Sequence, residues 1–347
     1  MVTATELAPV TFQYSHTIGR QEVRSGNGFF NPVAITRDDN GMLYVLSRGT
    51  ETPAFFPCKR VTVFHPDEEE VVAEFGQKIP PEDADETTPN GSFMWPTSVA
   101  LDSKGYAYVS DEWLNRISIY DQERGNWIGM WGIPGSGEGE IDRPAGLAFD
   151  KDDNLYVVES RNHRVSVFTK DGQFKFGWGR KGTGDGEFDH PWGIEIDHNG
   201  DVYVADWRND RIQKFSPDGT FLMKFGSSGD GEGEFSRPTG VAVDKDGHIF
   251  VTDYRNDRVQ VFRANGSYIT AMHGQAGLSK WGAERVYLDP TIVRARERAL
   301  GLSEREGEFQ GPIAIEVGDD GRVFVLEAPR HRVQIFSKQT AMFAGEL

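Results

Sequence analysis

FDHPWGIEIDHNGDVYVADWRNDRIQKF, from Phe188 to Phe215, and FSRPTGVAVDKDGHIFVTDYRNDRVQVF, from Phe235 to Phe262, align without a gap. Moving outward from these two stretches, the same frame recurs around Pro32, Pro96, Pro144, Pro191, Pro238 and Pro312. Each proline is followed 15 residues later by Ser47, Asp111, Glu159, Asp206, Asp253 or Glu327. Self-similarity at this spacing marks a repeat architecture, and six units follow from it. Within one unit the text reads as strand (GIEI), Asp/Gly turn (DHNGD), strand (VYVAD), short loop (WRND), strand (RIQKF), turn (SPDGT) and strand (FLMKFG). Alternating β-branched and aromatic residues between Asn-Gly and Asp-Gly turns are the hairpin signature. Each unit is therefore a four-stranded blade, and no unit carries the amphipathic helical period that a helical solenoid requires.

Composition agrees. The chain of 347 residues has 40 glycines, 17 prolines and 12% aromatics, which suits many short strands and tight turns. The expected fold is all-β: one six-bladed β-propeller domain over residues 1–347, with a short helical insertion between blades 5 and 6. The chain ends soon after its sixth third strand, RVQIF, while FQYSHTIGRQEVRSGNGFFNP at its start matches a fourth strand and the next entry loop. The N-terminal strand is thus expected to complete the last blade, which closes the ring and removes an exposed edge.

The pattern of Pro, small residue, apolar pair, Asp-rich turn, aromatic-Val, acidic residue, Asn and Arg-apolar resembles the NHL-repeat family in all six units, most loosely in the first. That resemblance implies the propeller and little about activity, because function resides in a site and not in a scaffold. Among enzymes it is similar to peptidyl-hydroxyglycine amidating lyases, whose zinc is held by histidines after the repeat proline. Here those positions are Val33, Thr97, Ala145, Trp192, Thr239 and Ile313, so no zinc site and no other cofactor is expected. RNA-binding NHL domains use a positive face, whereas this chain carries a formal charge of -17, which disfavours nucleic acid.

Cys58 is the only cysteine, excluding an intrachain disulfide. The opening MVTATELAPVTFQYSH lacks a basic segment followed by an apolar run, and no stretch approaches a membrane span. A cytoplasmic protein is expected. The sequence leaves its oligomeric state open.

Spacing irregularities place three insertions at about 49–58, 77–92 and 275–307. All fall in the loop between second and third strands or the loop entering the next blade, and these emerge on one face. The third contains LDPTIVRARERALGL, where Pro290 opens a helix, Ile292 to Leu300, read as a cap over that face. Long insertions gather on the binding face of repeat proteins.

The residues expected to line that face are Trp95, Trp113, Arg143, Arg161, Trp192, Trp207, Arg208, Arg237, Tyr254 and Arg255. Aromatic rings beside guanidinium groups suit a planar or anionic small molecule. Columns repeated in every blade hold blade to blade instead; Arg60, Arg116, Arg164, Arg211, Arg258 and Arg332 with the acidic column read this way. Residues that break the repeat are the functional candidates. His190 stands where other units have Asn31, Trp95, Arg143, Arg237 and Gly311, and Glu112 replaces Ser160, Trp207 and Tyr254; both are candidate acid-base groups. Glu195 and Glu316 occupy a channel-lining position that is otherwise Thr36, Ala100, Ala148 or Ala242, where they share a proton or hold a hard cation such as calcium. The leading reading is a small-molecule lyase or hydrolase, independent of zinc, working at the capped face. A noncatalytic ligand-binding or protein-interaction propeller is the alternative.

Overall fold

The computed structural model describes residues 10–22, 26–50, 58–76, 90–121, 125–288, 291, 293–294 and 307–340. Six four-stranded antiparallel sheets follow one another around a central channel. In the third, Pro144–Phe149 pairs with Asn154–Glu159, then Arg164–Thr169, then Phe174–Trp178. The second strand of every blade is enclosed by neighbours, and its residues form the bulk of the core between blades.

The Asp-rich turns have a direct cause. Asp38, Asp102, Asp150, Asp197 and Asp244 each accept, through one carboxylate oxygen, the amides two and four residues on. The side chain thereby mimics a backbone turn and fixes the first hairpin of the blade. In blade 5 this turn also grips the next blade: Lys338 Nζ lies 2.5 Å from Asp244, 2.7 Å from Asp246 and 2.9 Å from His248 Nδ1. Burial, the largest single influence, would raise the Asp244 carboxyl, but hydrogen bonds from His248 and then Lys338 hold it down to about 2. Asp246 is part of this latch.

The ring closes as expected. Val10–Ile18 pairs antiparallel with Arg332–Thr340, with one bulge between Tyr14 and His16, and completes the sixth blade. In blades 1 to 4 the fourth strand ends on an aromatic ring, Phe75, Trp131, Trp178 or Phe225; a Cβ on Gly172 or Gly219, both in the left-handed region, would lie 2.5 Å from Trp131 or 2.7 Å from Trp178. At the closing junction that strand ends on Ile18 instead.

Trp281 fills the gap. It comes from the helix Lys280–Tyr287, packs fully buried against Phe29 and Phe64, and donates from Nε1 to Glu69 O at 2.8 Å. Trp131 makes the equivalent bond to Lys170 O at 3.1 Å. The helix is capped by Ser279, which accepts from Gly282 N and donates to Gly19 O at 2.6 Å. This helix therefore clasps the rim between blades 6 and 1. Its indole is drawn into the apolar wedge that Ile18 leaves open. Of the segment Ile292 to Leu300, only residues 293 and 294 are described.

Candidate functional site

The face that carries the second-to-third-strand loops is built on two repeated devices. In the first, the column arginine joins the acidic column and the carbonyls of the preceding entry loop: Arg211 bonds Asp206 at 2.9 Å, Thr183 O, Gly184 O and Glu187 O, and Arg258 bonds Asp253, Asp230 O, Gly231 O and Glu234 O. Burying five guanidinium donors requires this many acceptors, which is why arginine and not lysine recurs here. These residues hold the face together.

In the second device, found at five of the six blades, the residue before the blade proline donates its amide to a side chain in the previous blade; before Pro96, Trp95 N turns instead to Asp111 of its own blade. Arg143 N finds Asn115, His190 N finds His163, Arg237 N finds Asp210, Gly311 N finds Asp257 and Asn31 N finds His331, all at 2.7–3.0 Å. Donor and acceptor residues alike sit in the left-handed region.

At the junction of blades 3 and 4 this device becomes chemically distinctive. His190 Nδ1 lies 2.6 Å from Asp189 Oδ1, and its ring meets that of His163 edge to face at 4.7 Å. Bonding to a carboxylate places the proton of a neutral His190 on Nδ1 and leaves Nε2 as an acceptor. Burial would raise the Asp189 carboxyl, but the hydrogen bond from His190 and the charges of His190, His163 and Arg208 keep it below the ordinary carboxylate range. His163 is pushed below the ordinary imidazole value, first by burial and then by His190, with Lys181 and Arg208 adding to this and Asp189 opposing it. The junction thus combines an oriented imidazole with nearby positive charge.

His163, Asp189 and His190 offer ligand atoms within 4.8 Å of one another, as do Asp244, Asp246 and His248. In the second group the centre is taken by the Lys338 ammonium. In the first, His163 Nδ1 already accepts an amide, so its proton stands on Nε2, and metal coordination would require losing that bond or forming an imidazolate.

The other sequence candidates form local pairs, not one wall. Arg48, not among the residues expected on this face, stacks on Trp95 at 4.4 Å and is ion-paired with Glu112. Trp95 in turn meets Trp113 at 6.2 Å. Glu112 is therefore committed to a guanidinium and presents a poor base. Arg237 and Arg208 lie 4.7 Å and 5.7 Å from the Trp207 ring. Tyr254 helps line a mouth cavity of about 590 Å³ with Asn31, Arg48, Thr50, Trp95 and Ala328. Arg143, Arg161 and Arg255 are exposed, with Arg161 3.6 Å from Asp142. Of the insertions, 51–57, 77–89 and most of 289–306 lie outside the described residues.

Below the mouth, Trp192 and the first strands enclose a channel of about 220 Å³. Glu195 and Glu316 sit on matching rungs of its wall, opposite Tyr203 and Phe324. Both keep some surface open to the lumen, yet protein surrounds them. Burial, then Glu316 and Asp197, raises the Glu195 carboxyl well above the ordinary value; burial pushes Glu316 up to about 8, with Arg37 pulling weakly the other way. Among the described residues no helix is long and apolar enough to cross a membrane.

The repeats at 142–168, 188–215 and 235–262 match the NHL repeat family. Human NHL repeat-containing protein 3 is 36% identical over 76 residues, so the match spans 22% of this chain and 21% of that protein. Among solved structures, a streptogramin B lyase superposes with a TM-score of 0.55 at 13% identity, covering 95% of this chain and 98% of its own. A catalytically inactive virginiamycin B lyase from Staphylococcus aureus with quinupristin also gives 0.55 at 13% identity, covering 94% and 99%. A protein of unknown function from Bacteroides thetaiotaomicron gives 0.61 at 17% identity, covering 95% and 76%. At these identities the likeness is one of fold.

Proposed function

Because the chain is an NHL-repeat six-bladed β-propeller, a scaffold that fixes no chemistry of its own, we propose that it is a small-molecule lyase or hydrolase. Its substrate is anionic, and the reaction takes place on the face where the strands enter each blade. The observation that carries this reading is the Asp189–His190 pair at 2.6 Å, placed where every other unit has a group without acid-base chemistry near neutral pH. Arg208 and Lys181 supply the positive fringe that draws an anion to it.

For elimination, His190 Nε2 takes a proton from a carbon beside a carbonyl. The electron pair of that C–H bond becomes a C=C bond as the adjacent C–O bond breaks, and the departing oxygen receives the proton back from His190. For hydrolysis, the same nitrogen takes the proton of water, whose oxygen bonds the carbonyl carbon while the ester C–O bond breaks and the leaving oxygen is protonated. The lyases among the fold neighbours favour elimination only as an analogy. The buried Cys58 thiol, raised by burial, is inert and accords with a cytoplasmic setting.

The test incubates the full chain with carboxylate-bearing esters and lactones, quinupristin among them, and weighs the products. Elimination conserves the total mass and hydrolysis adds water. His190→Ala should lower turnover about 100-fold with a smaller effect on KM. Equal turnover by the variant would refute the role of His190. If no compound turns over, the noncatalytic alternative takes its place; exposed Trp113 beside Trp95 suits it.

A further inference from the structure

We propose that His163 is a second working residue of this site, the hydrogen-bond donor whose Nε2–H receives an anionic oxygen of the ligand, a carboxylate or the oxyanion of a carbonyl, beside Arg208. The inference rests on the reading that the Asp189–His190 cluster is the functional site.

At five of the six blade prolines the preceding amide takes its acceptor from the previous blade, and Asn115, Asp210 and Asp257 meet that need with a single oxygen. An imidazole meets it with Nδ1, as His163 does at 3.0 Å. A ring nitrogen that accepts cannot carry a proton, so the neutral ring must carry it on Nε2, across the ring from the amide. The backbone therefore selects the tautomer. Protonating Nδ1 would break the amide bond, and burial, then His190, Lys181 and Arg208, disfavour a positive charge on the ring, with Asp189 alone in its favour. His163 remains a neutral donor across the neutral range.

His331 shows what the same device looks like without a ligand role. It accepts from Asn31 N at 2.9 Å, but its ring is stacked on Phe30 at 5.3 Å. His163 instead stands edge to face with His190, with 12% of its side chain exposed, and among the described residues nothing bonds its Nε2. Opposite tautomers in one pair, a donor on His163 and an acceptor on His190, are the complementary functions that a proton transfer next to a developing oxyanion requires.

The experiment uses the full chain labelled with ¹⁵N-histidine and long-range ¹H–¹⁵N spectra. His163 should report the Nε2–H tautomer and His190 the Nδ1–H tautomer. Titration with acetate, benzoate or inorganic phosphate should move the His163 signals, and His163→Asn should weaken that binding about tenfold, the size of one charge-assisted hydrogen bond. Asparagine is the residue of the same column in blade 2, so the amide keeps its acceptor and the melting temperature should hold; His331→Asn should leave anion binding unchanged. An Nδ1–H tautomer at His163, anions that leave its signals unmoved, unchanged affinity in His163→Asn, or stoichiometric zinc that captures both rings would each overturn the proposal. Anion binding through His163 in a protein without turnover would sink the enzymatic reading and keep this one. Turnover dependent on His190 with anions that ignore His163 would do the reverse.

Discussion

Replacing Glu316 by glutamine should stabilise the protein in proportion to pH. The carboxyl titrates at 4.5 in an unfolded chain and at about 8 in the channel, so the folded state binds more protons between those values. Its folded pKa is raised; stability is therefore complete below 4.5 and lost as pH rises through about 8. At about 1.36 kcal/mol per pH unit the loss approaches about 3 kcal/mol at pH 7 and about 5 kcal/mol at pH 9. Water in the 220 Å³ channel screens the charge, so these are ceilings, and about 1 kcal/mol is the smallest difference that still supports the reasoning.

The assay is urea unfolding of wild type and Glu316→Gln from pH 4.5 to 9. The variant's advantage should be near zero at the acid end, grow up to about pH 8 and level off above it. Because the Glu316 charge also raises Glu195, the double glutamine variant should gain less than the sum of the single ones. A flat difference would refute the burial argument. A difference that falls with pH, accompanied by calcium raising the wild-type melting temperature, would mean that a cation holds both carboxylates ionised.

Deleting residues 1–19 removes the outer strand of blade 6 and should cost several kcal/mol, read as a lower and broader thermal transition; unchanged melting would disprove closure. Trp281→Ala opens the wedge between blades 6 and 1 and should cost about 3–5 kcal/mol by calorimetry, against less than about 1 for the exposed Trp113→Ala. Arg208→Ala should weaken anion binding by more than about 1 kcal/mol by isothermal titration, while Arg255→Ala, one blade further on, should change it less.

Much of the fold was legible because the repeat states it six times and every copy agrees. The arginine and acidic columns were likewise readable as structural, since a residue needed at every junction must serve the junction. The candidate site could be sought in the sequence only where a residue broke its column: His190, Glu112 and the two channel glutamates. His163 was hidden for the opposite reason. It belongs to a column, with Asn115, Asp210, Asp257 and His331, whose members share nothing but an acceptor atom, and reading those five together as acceptors was the signal available.

By itself, the sequence determined the blade, the number of blades and the closing strand, because strand period, turn chemistry and repeat spacing are local properties written along the chain. Only the tertiary structure decided that Glu112 belongs to Arg48, that the inserted helix clasps the rim, and that two histidines 27 residues apart meet. Those outcomes depend on which side chains different blades bring together at a junction, and on which gap a neighbouring blade leaves to be filled.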